Sequence, residues 1–109
     1  MLEVRPRKLV LYETPDGKCP WLEWFNVLKD RKAQATIDAR LLRLQRGNFG
    51  DCKVIGAGVL ELRVHFGAGY RIYFGQDRDT LVVLLCGGTK RSQRRDIDRA
   101  IAFWNDYRS

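Results

Sequence analysis

A single histidine, His65, is the scarcest chemical resource in this sequence, and its scarcity excludes an acid/base pair built from two imidazoles. Cysteine is nearly as thin. Cys19, Cys52 and Cys86 are odd in number, far apart and in no CxxC pair, so neither a disulfide framework nor a zinc site is expected. They read as reduced thiols, with Cys86 in the core. No apolar run reaches the length of a membrane span, and Glu3, Arg5, Arg7 and Lys8 break up any signal-peptide pattern over Met1–Val10. The expectation is a cytoplasmic protein with no membrane partner. GxxxxGK(S/T), GxGxxG after a strand, HExxH and metal-spaced carboxylates are all missing, so no cofactor and no metal is expected. Nor is there an internal repeat, low-complexity tract or linker, which leaves one domain over residues 1–109.

Positive charge is what the chain has in excess. Its 109 residues carry a formal charge of +7, with a pI near 9.7. Fourteen of the twenty basic residues are Arg, which favours planar, bidentate and stacking contacts over point charges. A bias of that size in so small a domain points to polyanionic partners: nucleic acid, anionic lipid or an acidic protein. Charge alone does not choose among them.

Hydropathy patterning orders the elements as β-α-α-β-β-β-α. Arg7–Thr14 begins with a strand, and Thr14-Pro15-Asp16-Gly17 is a turn. Trp21, Trp24, Phe25 and Leu28 recur at helical spacing behind Pro20, a residue suited to a first helical turn. Core packing is the ordinary meaning of that stripe; a partner-binding groove is the alternative. A second helix covers about Arg31 to Gln45, and the short link predicts a helical hairpin. Asp51–Gly58 reads as a loop. Three strands follow, Val59–Phe66, Tyr70–Gln76 and Leu81–Cys86, with short Gly-bearing or polar turns between them. Leu60, Leu62, Val64 and Phe66 alternate with Glu61, Arg63 and His65, so the meander should have an apolar face and a face of Arg, His and Tyr. Gly67-Ala68-Gly69 sits between strands and is therefore a hairpin, not a phosphate cradle. Gly87-Gly88 lets the backbone approach something bulky or charged. Ser92 precedes a last helix, Gln93 to about Tyr107, striped by Ile97, Ala100, Ile101 and Trp104. The fold class is α+β, a small antiparallel sheet packed on an N-terminal helical hairpin.

Any catalysis here must work with Arg, Lys, Tyr and His65. One reaction class suits that set. RNA is cut by its own 2′-hydroxyl when the phosphate is held in line and its growing negative charge is neutralised, which Arg and Lys do without a metal. Arg63, His65, Arg71 and Tyr73 share the polar parity of adjacent strands, and Lys90 and Arg91 follow the third. A charged but inert outer face is the competing reading.

The run ELRVHFGAGYRIYF (Glu61 to Phe74), with Asn48-Phe49-Gly50-Asp51-Cys52-Lys53 before it and Gly87-Gly88-Thr89-Lys90-Arg91-Ser92-Gln93 after it, resembles the RelE/ParE toxin superfamily. It is most similar to the phage-derived, HigB-like branch known as addiction module killer proteins. The resemblance implies a RelE-like fold and a type II toxin that cleaves mRNA in the ribosomal A site. It also implies a small helix-turn-helix, HigA-like antitoxin as partner. Carried onto this chain, it places functional basic positions on Arg71, on Lys90 and Arg91 and on Arg63, with Lys53 a weaker match. Taken with the parity reading, the expected catalytic set is Arg71, Arg63, Lys90 and His65, and the expected RNA contacts are Lys53, Arg91, Tyr73 and Arg94. Either His65 or Lys53 would move the proton. Where RelE has a C-terminal tyrosine at its site, this chain offers only Tyr107. The ParE side of the superfamily poisons DNA gyrase without cutting RNA, so a gyrase inhibitor stays open, as does a module that only binds RNA or antitoxin.

Overall fold

The computed structural model describes residues 6–78 and 80–109; Glu3, Arg5 and Asp79 of the last strand turn lie outside them. The strands are β1 (Lys8–Leu11), β2 (Cys52–Gly56), β3 (Val59–Val64), β4 (Tyr70–Asp77) and β5 (Leu81–Thr89). The helices are α1 (Pro20–Asn26), α2 (Arg31–Gln45) and α3 (Gln93–Arg108), with a 3-10 turn over Lys90–Ser92 leading into α3. Spatial order is β1-β5-β4-β3-β2.

Two departures from the expected sheet stand out. The segment expected to be a loop, Asp51–Gly58, contains β2, an antiparallel edge strand on β3 with an irregularity between Val54 and Gly56. Lys53 and Val54 are both exposed although adjacent, and Cys52 and Ile55 are only half-buried, so the strand carries no clear alternation for a pattern to detect. The sheet is also mixed. β1 runs parallel to β5, with Lys8 opposite Leu81 and Leu11 opposite Leu84, while every other pair is antiparallel.

Both faces of the sheet are covered. Trp21 of α1 and Ile37 and Leu44 of α2 pack on Leu62, Val64, Ile72, Phe74, Val82 and Leu84. On the opposite face Ala100 and Trp104 of α3 pack on Val59, Tyr73, Val83, Leu85 and Cys86. The aromatic stripe of α1 is thus core. Trp21 lies 5.3 Å from Trp24 and 5.6 Å from Phe25 between ring centroids. α2 starts at Asp30, whose carboxylate accepts from the backbone N–H of Lys32 and of Ala33 at 2.9 and 3.1 Å, satisfying two otherwise orphaned donors. A bulge places Tyr73 opposite Cys86 but Phe74 opposite Leu84, leaving Leu85 as the extra residue in β5.

The glycine pair in β5 serves both layers. A Cβ on Gly87 would enter the ring of Trp24, and one on Gly88 would enter the carboxylate of Asp96. Bulky and charged neighbours therefore meet the same two residues from opposite sides. α3 is tied down at its far end by Tyr12, whose hydroxyl donates to Asp106 at 2.6 Å, and by Tyr107, which donates to Asp77 at 3.0 Å. Among the described residues no helix is long and apolar enough to cross a membrane.

Candidate functional site

Register on β3 and β4 builds the centre of the site. Glu61 is opposite Tyr73 and Arg63 is opposite Arg71, and directly opposed residues share one side of the pleat. Arg71 in turn faces Gly88 of β5. The shared side is the one α3 covers, because Tyr73 belongs to the α3 core. The face predicted to be a row of Arg, His and Tyr is therefore half roofed: Glu61 and Tyr73 are buried, while Arg63 and Arg71 keep partial exposure at the edge.

Glu61 is the residue that the sequence reading passed over. Its carboxylate accepts from Arg63 Nε at 3.1 Å, from the Tyr73 hydroxyl at 3.1 Å and from Gln93 Nε2 at 2.8 Å. Burial pushes this carboxyl up, but the bonds from Gln93, Arg63 and Tyr73 and the charge of Arg71 outweigh it and hold the group below its usual range. The signal that could have found it is an acidic residue at a strand position whose cross-strand neighbours are Tyr and Lys. Tyr73, expected to touch RNA, does not reach the surface. It is fully buried, and burial together with the Glu61 charge drives its hydroxyl far above the ordinary tyrosine value. It supports the carboxylate instead.

A depressed carboxyl fixes the sign of the acid response. Glu61 contributes stability that is complete above its unfolded value, near 4.5, and that is lost as pH falls through the lower folded value. Thermal unfolding followed between about pH 6 and pH 2 should show a steep acid limb that Glu61→Gln flattens. An unchanged limb in a folded Glu61→Gln protein would mean that the group is neutral in the native state.

The remaining expected residues divide. Lys53 of β2 is opposite Glu61 and exposed. His65 lies beyond the end of β3, exposed, with Nε2 at 2.5 Å from Asp51; that bond holds the Asp51 carboxyl below its usual range. Lys90 is exposed at the end of β5, its backbone N–H donating to Gly69 of the β3–β4 hairpin at 3.0 Å. Arg91 and Arg94 line an open cleft of about 700 Å³ with Thr89, Ser92, Arg95 and Asp98. Arg63, Arg71, Lys53 and His65 do not line that cleft. Two basic clusters therefore flank Gln93, which belongs to α3 and bonds to Glu61. Arg40 of α2 is a further residue missed: its guanidinium donates to the carbonyls of Arg63 and Phe49 at 3.0 and 3.3 Å, pinning the backbone under the site.

Arg71 is the incomplete member. Its Nε is buried with no hydrogen-bond partner, while the residue as a whole keeps partial exposure. Burial pushes the Cys52 thiol up to about 11 and the Cys86 thiol up to about 12, so neither of these two offers a thiolate nucleophile at neutral pH. Tyr107, bonded to Asp77, sits at the opposite end of β4 from Arg71.

The chain belongs to the phage-derived protein Gp49-like family (DUF891), whose model matches residues 23–103, a family associated with toxin–antitoxin modules. It is 49% identical over 77 residues to an uncharacterized protein of Haemophilus influenzae, an overlap spanning 71% of this chain and 78% of that protein.

Proposed function

We propose that this protein is the toxin of a type II toxin–antitoxin pair, of the RelE/ParE kind and HigB-like, and that it cleaves mRNA in the ribosomal A site. The observation that carries the reading is the Arg63–Arg71 pair, in register across two strands and partly exposed, with Glu61 bonded to Arg63 beneath it. In the proposed reaction the 2′-oxygen attacks the adjacent phosphorus and the 5′-oxygen leaves, giving a 2′,3′-cyclic phosphate and a 5′-hydroxyl. Arg71 and Arg63 grip the non-bridging oxygens, where charge develops, and Lys90 with Arg91 adds to the positive field. His65 or Lys53 takes or returns the proton. Lys53, Arg91 and Arg94 hold flanking RNA phosphates, so affinity should fall steeply with salt. The action is cytoplasmic, at the ribosome, and a HigA-like helix-turn-helix antitoxin neutralises the toxin by covering its basic surface.

Primer extension on cellular mRNA after induced expression tests this. Discrete new 5′ ends that vanish when translation is blocked are expected. Intact mRNA with a DNA-damage response would replace the nuclease by a gyrase poison.

A further inference from the structure

Arg63 and Arg71 are opposed on neighbouring strands, and like charges in that position repel. Something must hold them side by side. Glu61 lies two residues before Arg63 and so shares its face. It is fully buried beneath α3, and a carboxylate at that depth is costly unless paired and bonded. The fold meets that condition from three elements at once: Arg63 of β3, Tyr73 of β4 and Gln93 of α3. Its Arg63 bond uses Nε, which leaves the two Nη groups of that guanidinium for something outside. Proton transfer by Glu61 is disfavoured by the same bonds, because three donors already occupy it.

We propose that Glu61 is a positioning residue: it fixes the Arg63 guanidinium by its Nε edge, offsets the repulsion from Arg71, and through Gln93 couples this arrangement to the start of α3, so that both guanidinium forks meet one RNA phosphate. The identity of the bound group rests on the nuclease reading above; the preorganisation of Arg63 does not.

Two measurements on the full chain separate these. In 15N-labelled protein the Arg63 Nε–Hε signal, assigned with Arg63→Lys, should exchange slowly with water and lose that protection in Glu61→Ala. A wild-type Arg63 signal exchanging as fast as that of free arginine overturns the proposal, whether or not any Glu61 variant folds. In ribosome-dependent cleavage, Glu61→Gln keeps the shape but not the charge. Its kcat should fall by at least about ten-fold with KM nearly unchanged, as expected for misplaced groups and not for lost binding. A folded Glu61→Gln protein cleaving at the wild-type rate also overturns it. Wild-type protein that cuts no RNA sinks the nuclease reading alone, and the exchange measurement still decides whether Glu61 holds Arg63.

Discussion

Arg71→Ala should abolish growth arrest on expression, with mRNA cleavage falling by on the order of 100-fold or more, the usual cost of deleting a group aimed at developing charge. The fold should survive the change. Arg71 is only partly buried, and its Nε has no hydrogen-bond partner to lose. What disappears is a cation beside Glu61, whose carboxylate remains bonded to Arg63, Tyr73 and Gln93. Arg71→Lys is expected to recover little, because an ammonium keeps the charge but not the planar fork. Cleavage rates should be compared at equal folded fraction, judged by circular dichroism and thermal unfolding. A folded Arg71→Ala protein of undiminished toxicity would remove Arg71 from the site.

Trp104→Ala should have the largest effect on stability, about 3–5 kcal/mol, as for other buried aromatic truncations. Against a typical total of about 5–15 kcal/mol this is a large share, and each 1 kcal/mol is worth roughly 4–8 °C in Tm at this size. The reason is geometric. Trp104 is nearly fully buried, stacks on Tyr107 with centroids 5.3 Å apart, and lies over Gly75 and beside Gly58. A Cβ on Gly75 would occupy the space of the six-membered ring. Gly75→Ala should therefore destabilise the wild-type protein strongly and the Trp104→Ala protein much less, a coupling that a double-mutant cycle measures directly. Equal costs in the two backgrounds would show that the ring and the strand do not press on each other.

The parts readable in advance are those with strong periodicity or strong turn chemistry. Trp21, Trp24, Phe25 and Leu28 marked α1 and its buried face, and Gly67-Ala68-Gly69 marked the hairpin between β3 and β4. β2 stayed hidden because adjacent Lys53 and Val54 are both exposed and only Cys52 and Ile55 are partly covered, too little burial on an edge strand to impose alternation. The parallel pairing of β1 with β5 is set by tertiary packing, and no local pattern encodes direction.

The site was readable to the level of parity and no further. Alternation put Arg63, Arg71 and Tyr73 on one side, which the register bears out, but parity does not say how far a roof extends. The stripe of Ile97, Ala100, Ile101 and Trp104 needs a sheet face of its own, and α3 takes the polar one, burying Tyr73 and Glu61 while the two arginines stay at its margin. Gln93 bonds across to Glu61 from a residue far along the chain, a contact invisible to any short window.

The pairing of Lys8 with Leu81 also sets an order of events during synthesis. The opening strand emerges from the ribosome first yet has no neighbour until the final strand is out, so loop-closure entropy makes its docking one of the last steps. The α3 roof, encoded later still, arrives after that. Glu61 on β3 thus emerges well before Gln93, the third of its donors, and its carboxylate is fully bonded only once α3 has docked.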